Sequence, residues 1–140
     1  MSTFKAQRGL SAISWLVLLT VVGFFGLCVA KMAPVYAENY YITTGLKSVA
    51  QQNAGNLKNM RKSEISRSLN SYYSINNVRS PGAKELEFQS TSRGMLVINR
   101  YEVRVPLLAN IDVVMSFFNV LDTSAPDLCC DPPEELLESE

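Results

Sequence analysis

Histidine is absent from the 140-residue chain, which removes the commonest general base and metal ligand at neutral pH. Cysteine is scarce: Cys28, Cys129 and Cys130 form no C-x-x-C pair of the kind that ligates zinc. No phosphate-cradling glycine loop and no G-x-S-x-G elbow occurs. Glu85 and Glu87 share a strand face by alternation, but acid pairs of the glycosidase type need a cleft around them. A serine–lysine dyad on Lys31 or Lys47 has no spacing that singles out a nucleophile. These absences predict a non-enzymatic protein with no catalytic residue, no cofactor and no metal.

Net charge is also lacking, since 13 basic residues balance 13 acidic ones. The balance hides an uneven distribution, because Asp127, Asp131, Glu134, Glu135, Glu138 and Glu140 crowd the C-terminal end and leave the preceding chain basic. Lys58, Arg61, Lys62 and Arg67 form a modest basic cluster. It carries no nucleic-acid-binding motif, so nucleic acid is not an expected partner. A solvated face, lipid headgroups or an acidic protein segment suit it better.

What the chain does have is a long apolar run, Leu10 to Ala30, without a single charge. At about 1.5 Å per residue a helix of this length crosses a hydrocarbon core of roughly 30 Å. Ser11, Ser14 and Thr20 are tolerable there because hydroxyls bond back to helix carbonyls. Lys5 and Arg8 precede the run while Lys31 alone follows closely, which predicts a cytoplasmic N-terminus and a translocated C-terminal domain.

Three processing sites compete with a retained anchor. Val35 and Ala37 suit a secretory cut after Ala37, but the apolar run exceeds the roughly 7–15 residues of a signal core. A lipoprotein-type cut before Cys28 wants a small residue where Leu27 stands. Gln7-Arg8-Gly9 before Leu10 resembles the leader junction of type IV pilins, although Ser14 occupies the position where that family normally has Glu. Retention is the expectation.

Beyond the span, Pro34 is expected to kink or restart the helix, and Val35 to Gln52 carries Val35, Ile42, Leu46 and Val49 at helical spacing. Tyr36, Tyr40 and Tyr41 are candidate membrane or partner contacts. Asn53 to Met60 reads as a loop. Ser63 is expected to cap a second helix with Ile65, Leu69 and Tyr72 as its apolar stripe. After Ser80-Pro81-Gly82 the period changes to two. Leu86 and Phe88 share one face, and after the Ser92-Arg93-Gly94 turn Met95, Val97, Tyr101, Val103 and Val105 do the same, opposite Arg100, Glu102 and Arg104.

Pro106 is expected to end that strand, and Ile111, Val113, Met115 and Phe117 to form the next. Val114, Phe118 and Val120 fall on its other face, which calls for cover by the tail, a partner or a membrane surface. Adjacent Cys129 and Cys130 are candidates for a disulfide, with each other or with a partner, beside the simpler expectation of exposed thiols. The predicted fold is α+β: a single N-terminal transmembrane helix extending into a small domain of two helices packed on an antiparallel β-meander. Its divisions are a cytoplasmic N-terminus (1–9), the transmembrane helix (10–30), a periplasmic domain (31–122) and an acidic flexible tail (123–140).

Gln7-Arg8-Gly9-Leu10-Ser11, Lys31-Met32-Ala33-Pro34-Val35-Tyr36, Arg100-Tyr101-Glu102-Val103-Arg104 with Pro106-Leu107, and Asn110-Ile111-Asp112-Val113 give the chain a family resemblance. Over roughly residues 5 to 120 it resembles the small proteobacterial inner-membrane proteins classed as domain of unknown function DUF4845. The resemblance implies a bacterial inner-membrane location and type I signal peptidase as a functional neighbour. The function expected is therefore binding or modulation of an envelope complex, with the lipid bilayer and a membrane protein as partners and self-association open. A pilin-like or pseudopilin-like structural subunit is the rival, and a lipid-binding module using the second sheet face is a third reading.

Overall fold

The computed structural model describes residues 12–133 and 136. Expectations that fall on Gly9, Leu10, Glu134, Glu135, Glu138 and Glu140 lie outside those residues. The architecture is α+β, with two helices and a three-stranded antiparallel sheet. Helix α1 runs without interruption over Ala12–Gln52, 41 residues. Pro34 lies inside it, so the expected restart does not occur. Losing one donor to the Ala30 carbonyl is outweighed by the continuous turns on either side.

The first half of α1 exposes its apolar side chains, among them Leu16, Val22 and Phe25. The second half buries Ile42, Leu46, Val49 and Ala50, at roughly 1.5–3 kcal/mol for each large aliphatic residue removed from water. Asn53 ends the helix by donating its side-chain amide to the Val49 carbonyl at 2.9 Å. The segment to Met60 contains a 3-10 turn, Leu57–Asn59, which tucks Leu57 into the core.

Helix α2 spans Lys62–Ile75. Its cap differs from expectation: the backbone N–H of Arg61 donates to the Glu64 carboxylate at 2.9 Å, and Ser63 lies within the first turn. The buried stripe is Ile65, Leu69 and Tyr73, with Tyr72 only half-buried. Tyr73 takes the inward place because α1 approaches closely at Gly45, where a β-carbon would stand 2.7 Å from the Tyr73 ring and 2.9 Å from that of Tyr72.

The sheet consists of β1 (Glu87–Ser90), β2 (Met95–Leu108) and β3 (Ile111–Asp122) in that order. Val97 pairs with Leu121, Asn99 with Asn119, Tyr101 with Phe117 and Val103 with Met115, so the odd-numbered residues of both long strands face the helices. Pro106 does not end β2, which continues to Leu108 through an irregular step in register. Beyond residue 98 β2 pairs with β3 alone, so a proline there sacrifices no ladder bond on the open side.

Asparagines occupy the middle of the packed face. Asn99, fully buried, donates to the carbonyls of Gly82 at 2.6 Å and Glu85 at 2.8 Å. Its own amide oxygen accepts from Asn119 at 3.3 Å. Asn119 also donates to the amide oxygen of Asn39 on α1 at 3.0 Å, and the Tyr101 hydroxyl donates to the same oxygen at 3.1 Å. Gly82 lies flat against the Tyr101 ring, where a β-carbon would collide with it. The network fixes α1 in direction and register on β2 and β3.

The folded region passes the expected boundary at residue 122. Thr123 is buried and its hydroxyl accepts the Met95 N–H at 2.8 Å. A 3-10 turn, Pro126–Leu128, then brings Cys130 back to β3, where its carbonyl accepts the Val120 N–H at 3.1 Å. Residues 123–130 therefore belong to the domain and not to a flexible tail. Backbone bonding and burial hold them, long-range features that the local sequence does not reveal.

Replacing Asn99 by Ala removes the side-chain donor from two carbonyls and one of the two acceptors of the Asn119 amide, and lowers the unfolding free energy by about 1–3 kcal/mol in a denaturant titration of the detergent-solubilised protein. The exposed Asn70→Ala change stays within about 0.5 kcal/mol of the parent. A second outcome concerns alkaline pH. Burial pushes the Tyr73 hydroxyl well above the usual tyrosine value, with Tyr101 and Tyr72 adding to the effect. Burial also raises Tyr101 to about 12, with Glu38 adding and Ser80 opposing. Both rings are more easily ionised in the unfolded chain, so their contribution is complete below the unfolded value of 10.0 and is lost as pH rises above it. Thermal melts across alkaline pH show this fall, and Tyr73→Phe makes it shallower.

Candidate functional site

Alternation along β2 and β3 sends Arg100, Glu102, Arg104, Val114, Ser116 and Phe118 to the sheet face opposite the helices. One end of this outer face is closed by the segment after Pro126: Leu128 and Pro133 line a depression with Leu96 and Val120, and Val120 is buried. The expected cover by the tail is thus present at Val120. It does not extend to Val114, which is 45 % exposed.

Around Phe118 the face is both aromatic and charged. The Arg100 guanidinium carbon stands 4.3 Å from the Phe118 ring centroid, within cation–π range. Ser116 donates to the Glu102 carboxylate at 3.1 Å. Together with Glu85 these side chains frame an open depression of about 700 Å³. It offers a cation, carboxylates and an apolar floor, a set suited to mixed polar and apolar recognition.

The edge of β3 adds a second element. Val120 turns its N–H outward to Cys130, and the unbroken register means that Asp112, Val114, Ser116 and Phe118 turn their backbone groups the same way. Among the described residues no backbone partner pairs with those four groups. Such an edge is a template for an added strand.

The tyrosines of α1 are separate from this face. Tyr36 sets its ring edge-on to Phe117 at 5.6 Å, on the packed side of the sheet. Tyr40 and Tyr41 meet each other at 6.1 Å and are 66 % and 42 % exposed. They are not joined into one patch with Val114 and Phe118, because successive β3 residues face opposite ways. Val35 and Ala37 lie inside α1, with Val35 half-buried against the core. A peptidase that binds extended backbone would have to unwind the helix to reach the bond after Ala37.

Cys129 and Cys130 are joined to each other as a disulfide. Cys130 is buried, its sulfur 3.6 Å from the Thr43 carbonyl oxygen, so the expectation of exposed thiols does not describe it. Among the described residues no group of three or more Cys, Asp or Glu gathers where a metal could be held. Sequence reasoning missed the asparagine network and the Arg100–Phe118 stack. Asn99 and Asn119 were visible only as polar interruptions of two apolar alternations.

No curated protein and no solved structure matches the chain. A family model does match, over residues 31–117. The match takes in the packed half of α1, α2, β1, β2 and most of β3, and leaves out both the exposed apolar half of α1 and the cysteine pair. Since this is more than half of the chain, the protein belongs to the family described as domain of unknown function DUF4845.

Proposed function

We propose that the chain is a non-enzymatic, single-pass protein of the bacterial inner membrane whose periplasmic domain binds or modulates an envelope complex. The observation that carries this reading is the continuity of α1, which is long and apolar enough to cross a membrane and packs its other half into the domain. A helix shared by anchor and domain holds the outer sheet face and the β3 edge in one orientation relative to the bilayer. Lys5 and Arg8 before the apolar run support the cytoplasmic N-terminus.

Type I signal peptidase is the partner that the family resemblance favours. Val35-Tyr36-Ala37 resembles the outer end of that enzyme's substrates, held helical and partly packed, an arrangement suited to binding without cleavage. After crosslinking in intact membranes, pull-down of the full chain enriches the peptidase over unrelated membrane proteins. Phe118→Ala and Arg100→Ala each lower that enrichment severalfold. Equal recovery of the peptidase and unrelated proteins rules out this partner.

The same helix supports a second reading as a pilin-like subunit, since a half-apolar helix laid on an antiparallel meander can pack into a filament. Intact-mass measurement of the membrane-isolated protein separates the two. An anchor keeps the residues before Leu10, whereas a pilin-like subunit loses them after Gly9 and carries a methylated Leu10.

A further inference from the structure

The β2–β3 hairpin reverses at Leu107-Leu108-Ala109-Asn110-Ile111, a turn in which only Asn110 is polar. Leu108 is 56 % exposed and Ile111 57 % exposed. Ala109 takes a left-handed φ of 50°, a conformation that usually selects Gly, Asn or Asp in hairpin turns. The turn at the other end of β2, Thr91-Ser92-Arg93-Gly94, has no large apolar side chain and is the ordinary choice for a loop in water. Two turns of one sheet thus have opposite chemistry.

Their positions along α1 match that difference. The Lys31 ammonium, immediately after the apolar run, donates to the Pro106 carbonyl at 2.9 Å. Tyr36 meets Phe117 and Asn39 meets Tyr101, so β2 runs antiparallel to α1, back toward the apolar half. Three further residues, at about 3.3 Å each, carry the tip up to roughly 10 Å beyond Pro106 along the strand. The tip therefore lies beside the end of the apolar run, while the polar turn lies at the far end of the domain.

We infer that this apolar hairpin tip is a second membrane contact, inserted into the headgroup boundary of the same bilayer that α1 crosses. The inference rests on the proposed membrane span. Leu107, Leu108 and Ile111 enter the interface, and Lys31 stays at the surface with its charge toward phosphates and the Pro106 carbonyl. Two contacts, a helix and a hairpin, stop the domain from tilting on its anchor. They hold the outer sheet face at a set height above the lipid.

The test uses the full chain in phosphatidylcholine–phosphatidylglycerol vesicles whose acyl chains carry bromine at shallow or deep positions, which quenches nearby tryptophan. Trp15, the single native tryptophan, reports on the span. In a Trp15→Phe background, Leu108→Trp reports on the tip and Ser92→Trp on the distal turn; all three positions are exposed in the protein, so neither new side chain disturbs the core. The inference expects Leu108→Trp to lose most of its fluorescence to shallow bromine while Ser92→Trp keeps its own. Quenching of Trp15 with Leu108→Trp as bright as Ser92→Trp overturns the hairpin contact and leaves the span standing. An unquenched Trp15 overturns the span, and the hairpin contact with it.

Discussion

The amide oxygen of Asn39 accepts two hydrogen bonds, from Tyr101 and from Asn119, and these bonds decide where the long helix rests on the sheet. Apolar burial of Ile42, Leu46 and Val49 is non-directional and sets register less sharply than hydrogen bonds do. The buried polar groups of Tyr101 and Asn119 are more exacting, since each lost partner leaves a desolvation cost of about 1–3 kcal/mol. Asn99 extends the network to the carbonyls of Gly82 and Glu85. Helix, sheet and the segment before β1 are thereby tied to one register.

Other contacts follow from that register. Lys31 reaches Pro106, Tyr36 reaches Phe117, and Thr43 faces Cys130, in order along α1. Gly45 lets α2 close against the other side of the same helix. Because α1 also carries the apolar run, the domain inherits its orientation from the helix. The polar turn of the sheet then faces away from the apolar half and the apolar turn toward it. The outer face with Arg100, Phe118 and Val114 remains open at the side, with the bare edge of β3 beside it.

Much of the domain was readable from periodicity. Apolar residues at alternate positions from Met95 to Val105, interrupted only by Asn99, and from Val113 to Phe117 read as half-buried strands, and those strands are present. Where the reading failed, a distant contact had overruled a local preference. Tyr73 faces α1 in place of Tyr72 because Gly45 opens a space there. Ser63 yields the cap of α2 to the Arg61–Glu64 bond. Pro106 stays within β2 because the strand has no neighbour on its open side at that point. Residues 123–130, grouped with the acidic tail that follows them, are held by a bridge to Val120 and by the burial of Cys130.

The candidate surfaces divide along the same line. Composition and order alone determined that the chain has one apolar run long enough to cross a bilayer, no histidine chemistry and an α+β domain after the run, because length, residue type and period are local properties of the chain. Only the tertiary structure decided that Asn39, Asn99 and Asn119 meet, that Arg100 covers Phe118, and that the hairpin tip comes level with the end of the run. Those juxtapositions join residues up to 80 positions apart. They depend on the register of helix and strands, which no local pattern specifies.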